Sequence, residues 1–123
     1  MPLEQKRRYE KAGRHAETLA ALYLRVKGYH ILERRYKTRC GEIDIIARRK
    51  DTLVIAEVKQ RQTRLAAHES ISAASERRIE DAANIYVSKT RAVQNLGIRF
   101  DAIFFIGPLN IWRWKVEHIK GAW

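Results

Sequence analysis

The 123-residue chain has 25 Lys and Arg against 14 Asp and Glu, a formal net charge of +11 and a pI near 10.2. That length suits one domain with its own core, and 46% hydrophobic with 32% charged residues excludes a disordered polyelectrolyte. The lone cysteine, Cys40, excludes an internal disulfide and a cysteine-pair zinc site, as expected for a reducing cytosol.

From about Glu4 to Lys27 the pattern is helical, with Ala12, Ala16, Leu19, Ala20 and Tyr23 at three- and four-residue steps and Gly28 as the stop. Tyr29 to Tyr36 reads as a strand interrupted by charge. Glu42 to Arg48 and Thr52 to Lys59 are stronger strands, rich in Ile, Val and Leu, with Arg49 to Asp51 as the turn. The basic stretch Gln60 to Ser70 leads to a second helix, about Ser72 to Thr90, carrying Ile79, Ala82, Ala83, Tyr86 and Val87 on one face. Strands Ile98 to Ile106 and Ile111 to Val116 follow, joined around Gly107 and Pro108. No repeat, linker, signal peptide or membrane-length apolar run is readable, so a single cytoplasmic α/β or α+β domain is expected, a sheet covered by helices.

The charge favours a polyanion, because each neutralised phosphate releases condensed counterions. An acidic membrane surface fits less well, since no helix sets a basic face against a Trp/Phe/Leu face. A basic protein whose charge only keeps it soluble is the plain alternative.

The chemistry concentrates in Gly41-Glu42-Ile43-Asp44-Ile45-Ile46 and Leu53-Val54-Ile55-Ala56-Glu57-Val58-Lys59. A hairpin centred on Lys50 and Asp51 sets Asp44 opposite Glu57 and Glu42 opposite Lys59. Flat alternation then puts these four on one face with Ile46, Leu53 and Ile55, and Ile43, Ile45, Val54, Ala56 and Val58 on the other. Facing, partly buried carboxylates repel, and a hard divalent cation would relieve them. Asp44 and Glu57 are the expected ligands of Mg²⁺ or Mn²⁺, with the Val58 carbonyl as a third. Lys59 could orient or help deprotonate an attacking water, or offset charge on phosphate oxygens. Glu17 sits on a helix flank of small and apolar neighbours, where it could complete the site or simply pair with an Arg. Against this, Glu-x-Lys is frequent by chance, and Asp44 with Lys59 could be a surface ion pair worth about 1 kcal/mol or less.

These residues resemble the YraN family of uncharacterised bacterial proteins. The resemblance lies in Gly13-x-x-x-Glu17-x-x-Ala20-x-x-Tyr23-Leu24, Gly28-Tyr29, Gly41-Glu42-Ile43-Asp44, Asp51-Thr52-Leu53-Val54-x-x-Glu57-Val58-Lys59 and Arg99-Phe100-Asp101. The Glu, Asp, Glu-x-Lys order is also similar to that of archaeal Holliday junction resolvases of the PD-(D/E)xK type. The resemblance implies a restriction-endonuclease-like α/β fold, with a mixed central β-sheet flanked by α-helices. It further implies an active-site set of Glu17, Asp44, Glu57 and Lys59, and a homodimer. Two positions depart from the pattern: Ser75, where related chains carry a lysine, and Gln60, where Thr is usual.

Arg34, Arg35, Lys37, Arg39, Arg61 and Arg64 are candidates for phosphate contacts, with DNA as the expected partner and no signature of base reading. His15, His30, His68 and His118 are too scattered for zinc and read as solvent or boundary residues. Trp112 and Trp114, interleaved with Arg113 and Lys115, could stack on splayed bases, line a dimer interface or sit as aromatics on a half-buried strand. The expected function is therefore a metal-dependent endonuclease on DNA, branched or structured. The rivals are a non-cutting nucleic-acid-binding module of the same fold and a scaffold that uses its basic surface on ribosomal or protein partners.

Overall fold

The computed structural model describes residues 2–123. A long helix, α1 (Leu3–Val26), precedes a three-stranded antiparallel run of β1 (His30–Lys37), β2 (Glu42–Arg49) and β3 (Thr52–Arg61). Two helices, α2 (Arg64–His68) and α3 (Ala73–Lys89), and a 3₁₀ turn cross over to β4 (Gly97–Ile106), which lies parallel to β3. A second 3₁₀ turn (Ile111–Arg113) leads to β5 (Lys115–Ile119), antiparallel to β4. The five strands lie in chain order, β1-β2-β3-β4-β5, so the sheet is mixed through one parallel pair.

Helices cover both faces. On one, Ala16, Ala20, Ala21 and Leu24 of α1 pack on Ile45, Ala47, Val54, Ala56, Val58, Ile103 and Phe105. The alanines at four-residue spacing make a stripe without bulk, so α1 lies close to the sheet. Gly28 then turns the chain with φ +91°, where a side chain would be strained. On the other face, Ile79, Ala82, Ala83 and Tyr86 of α3 meet Ile43, Ile46, Leu53 and Ile55, and Ala67 of α2 meets Ala102 and Phe104. This is a three-layer α/β arrangement, with the mixed sheet and flanking helices of an α/β nuclease-like fold. Among the described residues, no helix is long and apolar enough to cross a membrane.

The β2–β3 register is the one the hairpin reading requires: Ile45 faces Ala56, Ile46 faces Ile55, and Arg49 faces Thr52 across the turn. The ladder ends at Ile45 and Ala56. Beyond it the Val58 N–H donates to the Asp44 carboxylate, at 2.8 Å, instead of to a β2 carbonyl.

Flat alternation fails at this point. Ile45 packs on the α1 side, whereas Ile43 packs with Ile46 on the α3 side. Residues two apart can lie on opposite faces only if the step at Asp44 is irregular. The neighbouring strand shows the same break. Arg34 reaches Thr18 of α1 and Arg35 reaches Glu17, yet Tyr36 packs edge-on against Tyr86 of α3. Arg35, with φ +52°, takes the left-handed conformation that turns β1 over. The grouping of Ile43 with Ile45, Val54, Ala56 and Val58 on one face is thereby corrected. Asp44 meets Glu57 as the facing pair requires, and from the gap between the strands it also meets Glu17 of α1.

Three further expectations are revised. Arg64–His68 is helical, capped by the Thr63 hydroxyl accepting from the Ala66 N–H; one turn is too short to register as periodicity. The last strand begins at Lys115, because Asn110 caps a 3₁₀ turn by accepting from the Trp112 N–H. A Cβ on Gly107 would approach the Arg113 carbonyl to 2.9 Å, so that turn folds tightly back on the end of β4. Finally, the His118 side chain is buried, its Nε2 lying 2.7 Å from Asp101. Fully buried Asp101 also accepts two bonds from Arg99 and one from the Gly121 N–H.

Candidate active site

Three elements converge on a hollow of about 250 Å³: the middle of α1, the start of β2 and the end of β3. Tyr9, Gly13 and Glu17 line it from α1 at four-residue spacing, and Asp44, Val58, Lys59, Gln60 and Arg61 line it from the sheet. Without a side chain at Gly13, that wall has no bulk between Tyr9 and Glu17.

Asp44 is the central acid. Its carboxyl is pushed up to about 8, first by burial and then by a hydrogen bond and charge repulsion with Glu57; the Val58 N–H and Lys59 oppose the shift. Glu17 is also raised, by partial burial and then by Asp44, with Arg35 pulling the other way. Glu57 is nearly buried and pairs with Lys59, whose Nζ lies 3.6 Å from Glu57 Oε2. Three acids and one lysine thus meet where two strands part, and the side chains bring together the predicted set of Glu17, Asp44, Glu57 and Lys59.

Arg35 lies at the rim, its Nε 3.7 Å from both Glu17 and Glu42. Glu17 thus meets Asp44 and also pairs with an arginine, as the second of its two readings expected. Glu42, expected on the site face, is exposed beside Arg35. Among the described residues, no group of three or more His, Cys, Asp and Glu is drawn tightly enough to hold a metal ion unaided.

The basic candidates separate in space. Arg61 lines the hollow, and Arg34 and Arg35 stand beside it on β1. Lys37 and Arg39 line a different hollow, with Tyr36, Thr38, Ile85 and Lys89. Arg64 is held by Glu117 at 3.0 Å. The two departures have structural work of their own. Buried Gln60 donates to the Gly107 carbonyl at 2.8 Å. The Ser75 hydroxyl accepts from Ser72 and Arg78 at the start of α3.

Sequence reasoning missed Tyr9, Gly13 as a wall of the hollow, the Val58 N–H as the anchor of Asp44, and the Arg99–Asp101–His118 cluster. The Tyr9-Gly13-Glu17 spacing was the available signal for the first two.

The fold and cluster define a small α/β protein with a nuclease-like sheet and a carboxylate-lysine pocket. The family model for UPF0102, described as "Uncharacterised protein family UPF0102", matches residues 16–105, and the chain belongs to that family, that of the YraN proteins. It is similar to a UPF0102 protein of Bartonella tribocorum, 46% identical over 119 residues, covering 97% of this chain and 88% of that protein. It is also similar to one of Mesorhizobium japonicum, at 44% over 121 residues (98% and 93%). A third relative, from Agrobacterium fabrum, is 44% identical over 99 residues (80% and 81%). The matched span takes in Glu17, Asp44, Glu57 and Lys59.

Proposed function

We propose that this protein is a divalent-metal-dependent endonuclease that hydrolyses phosphodiester bonds in DNA, with branched or structured DNA as its substrate. The observation that carries the reading is the half-buried Asp44 carboxyl between Glu17 and Glu57, with Lys59 on the same hollow, in a chain of net charge +11. Such clustering opposes folding, and a site that binds a cation is its physical rationale.

The donor set fits Mg²⁺ or Mn²⁺. These ions take one or two carboxylates and keep several waters, so Asp44 and Glu57 suffice without a closed protein cage. Within a strand, one residue's N–H and C=O turn to the same side. The Val58 carbonyl therefore faces the gap where its N–H holds Asp44, and it would serve as the third ligand. A bound ion would polarise a phosphate oxygen and acidify a water.

The protein's own groups do the rest. Lys59, half-buried and held near Glu57, positions the attacking water and offsets charge on the phosphate oxygens. Glu17 closes the hollow from α1, and Arg35 limits the repulsion between Glu17 and its acidic neighbours. Arg61, Arg34 and Arg35 supply backbone phosphate contacts next to the hollow, and Lys37 and Arg39 extend the basic surface along β1 and its turn.

The test is cleavage of labelled duplex, single-stranded and four-way-junction DNA, and of RNA, with Mg²⁺ or Mn²⁺. Metal-dependent cutting of DNA is expected. Lys59→Ala should slow it by about 10² or more while leaving DNA binding intact. Failure of the wild type to cut any substrate, with binding unchanged by the substitution, would instead establish a binding module.

A further inference from the structure

A second hollow lies away from the acids. It has a volume of about 540 Å³ and sits between the N-terminal half of α1 and the loop joining β4 to β5. Arg8, Lys11 and His15 line one wall, and Trp112 and Trp114 stand on the other. None of its lining residues is acidic, and neither Arg8 nor Lys11 joins an ion pair among the described residues.

The two tryptophans differ. Trp114 is anchored: its Nε1 donates to the Pro108 carbonyl, and its ring packs against Phe105. Trp112 is 90% exposed, yet its backbone is fixed by the Asn110 cap within a tight turn. An exposed indole on a rigid turn, across a groove from two free cations, has the chemistry of a stacking platform beside a phosphate site. A second copy of this chain suits the groove poorly, because it would bring another strongly positive surface against Arg8 and Lys11.

We propose that this groove takes unpaired nucleotides, with a base stacked on Trp112 and backbone phosphates on Arg8 and Lys11. The inference rests on nucleic acid being the partner and deepens that reading. It names the substrate class as DNA carrying a single-stranded segment, such as a flap or opened branch, rather than uninterrupted duplex. The geometry supports a continuous path, since α1 borders both hollows: Arg8, Lys11 and His15 line the groove, and Tyr9, Gly13 and Glu17 line the acidic site.

Binding in chelator separates this inference from cleavage. Fluorescence anisotropy with a labelled oligothymidylate of roughly 15 nucleotides, near the upper site size of single-strand binders, is compared with a blunt duplex. The wild type should prefer the single strand. Trp112→Ala should lose about tenfold in that affinity, with duplex binding within about twofold, and Trp112→Phe should recover most of the loss. Arg8→Ala with Lys11→Ala should flatten the salt dependence of single-strand binding by about 1.4 in log-log slope. Single-strand affinity unchanged by Trp112→Ala, or an equal loss for single strand and duplex, would overturn the proposal. So would a fall in sedimentation mass with that variant, which would mark the groove as a self-association surface. Loss of single-strand binding in Trp112→Ala alongside a wild type that never cuts would leave the groove standing and remove only the nuclease reading.

Discussion

Replacing Asp44 by Asn should stabilise this protein while abolishing its proposed activity. In the folded chain, burial and then Glu57 raise the Asp44 carboxyl from 3.8 to about 8. The unfolded chain ionises Asp44 above about pH 4, while the folded chain holds the proton until about pH 8. This group's contribution to stability is therefore full below about pH 4 and is lost as the pH rises towards 8. At about 1.4 kcal/mol per unit, the full shift bounds the loss at about 6 kcal/mol. Relaxation and water penetration reduce this to an expected gain for Asp44→Asn of about 1 to 3 kcal/mol at pH 8 and above. The amide oxygen can still accept from the Val58 N–H, and the amide N–H₂ can donate to Glu57 in place of the acid's proton. Urea unfolding in chelator, followed by tryptophan fluorescence at about pH 4.5, 6.5 and 8.5, reads the difference. The gain should be near zero at the lowest pH and largest at the highest. A gain independent of pH, or destabilisation throughout, would refute the account of Asp44 as a costly acid retained for chemistry.

The same proton links metal to pH. Mn²⁺ should raise the thermal midpoint of the wild type more at pH 8 than at pH 6, because binding displaces the Asp44 proton and affinity climbs about tenfold per unit below its pKa. Asp44→Asn should abolish that response, and a pH-independent response in both proteins would place the ion elsewhere. Asp101→Ala should cost about 3 kcal/mol or more in urea unfolding at neutral pH, because it strands Arg99 beside buried His118. Burial pushes the Asp101 carboxyl up, but the bonds from His118, Arg99 and the Gly121 N–H outweigh it and hold it below the ordinary range. Its stabilisation is thus present above about pH 4 and lost as acid protonates it, the opposite sense to Asp44.

Much of this architecture was legible because the patterns are local. The alanine stripe of α1 and the Ile79-Ala82-Ala83-Tyr86 face of α3 follow helical periodicity, and the two-residue turn at Lys50 and Asp51 set the β2–β3 register. Where the reading failed, the deciding interaction was not local or the segment was very short. The α2 turn depends on the Thr63 cap, and the 3₁₀ turn at Trp112 depends on Asn110 and on the close approach of Gly107 to Arg113. His118 looked like a boundary residue because its partner, Asp101, lies on the neighbouring strand, seventeen positions back.

The sequence by itself determined that Asp44, Glu57 and Lys59 would meet, since a short turn and a period of two leave a hairpin few registers. It also determined the basic surface and the helical faces. Only the tertiary structure decided which side of the sheet the acids serve. The left-handed turn of Arg35 and the irregular step at Asp44 send its carboxyl to Glu17, at the point where β2 and β3 part. The physical reason is that alternation is a rule of regular strands. Backbone groups released where a ladder ends must find other partners, and here the Val58 N–H finds the Asp44 carboxylate.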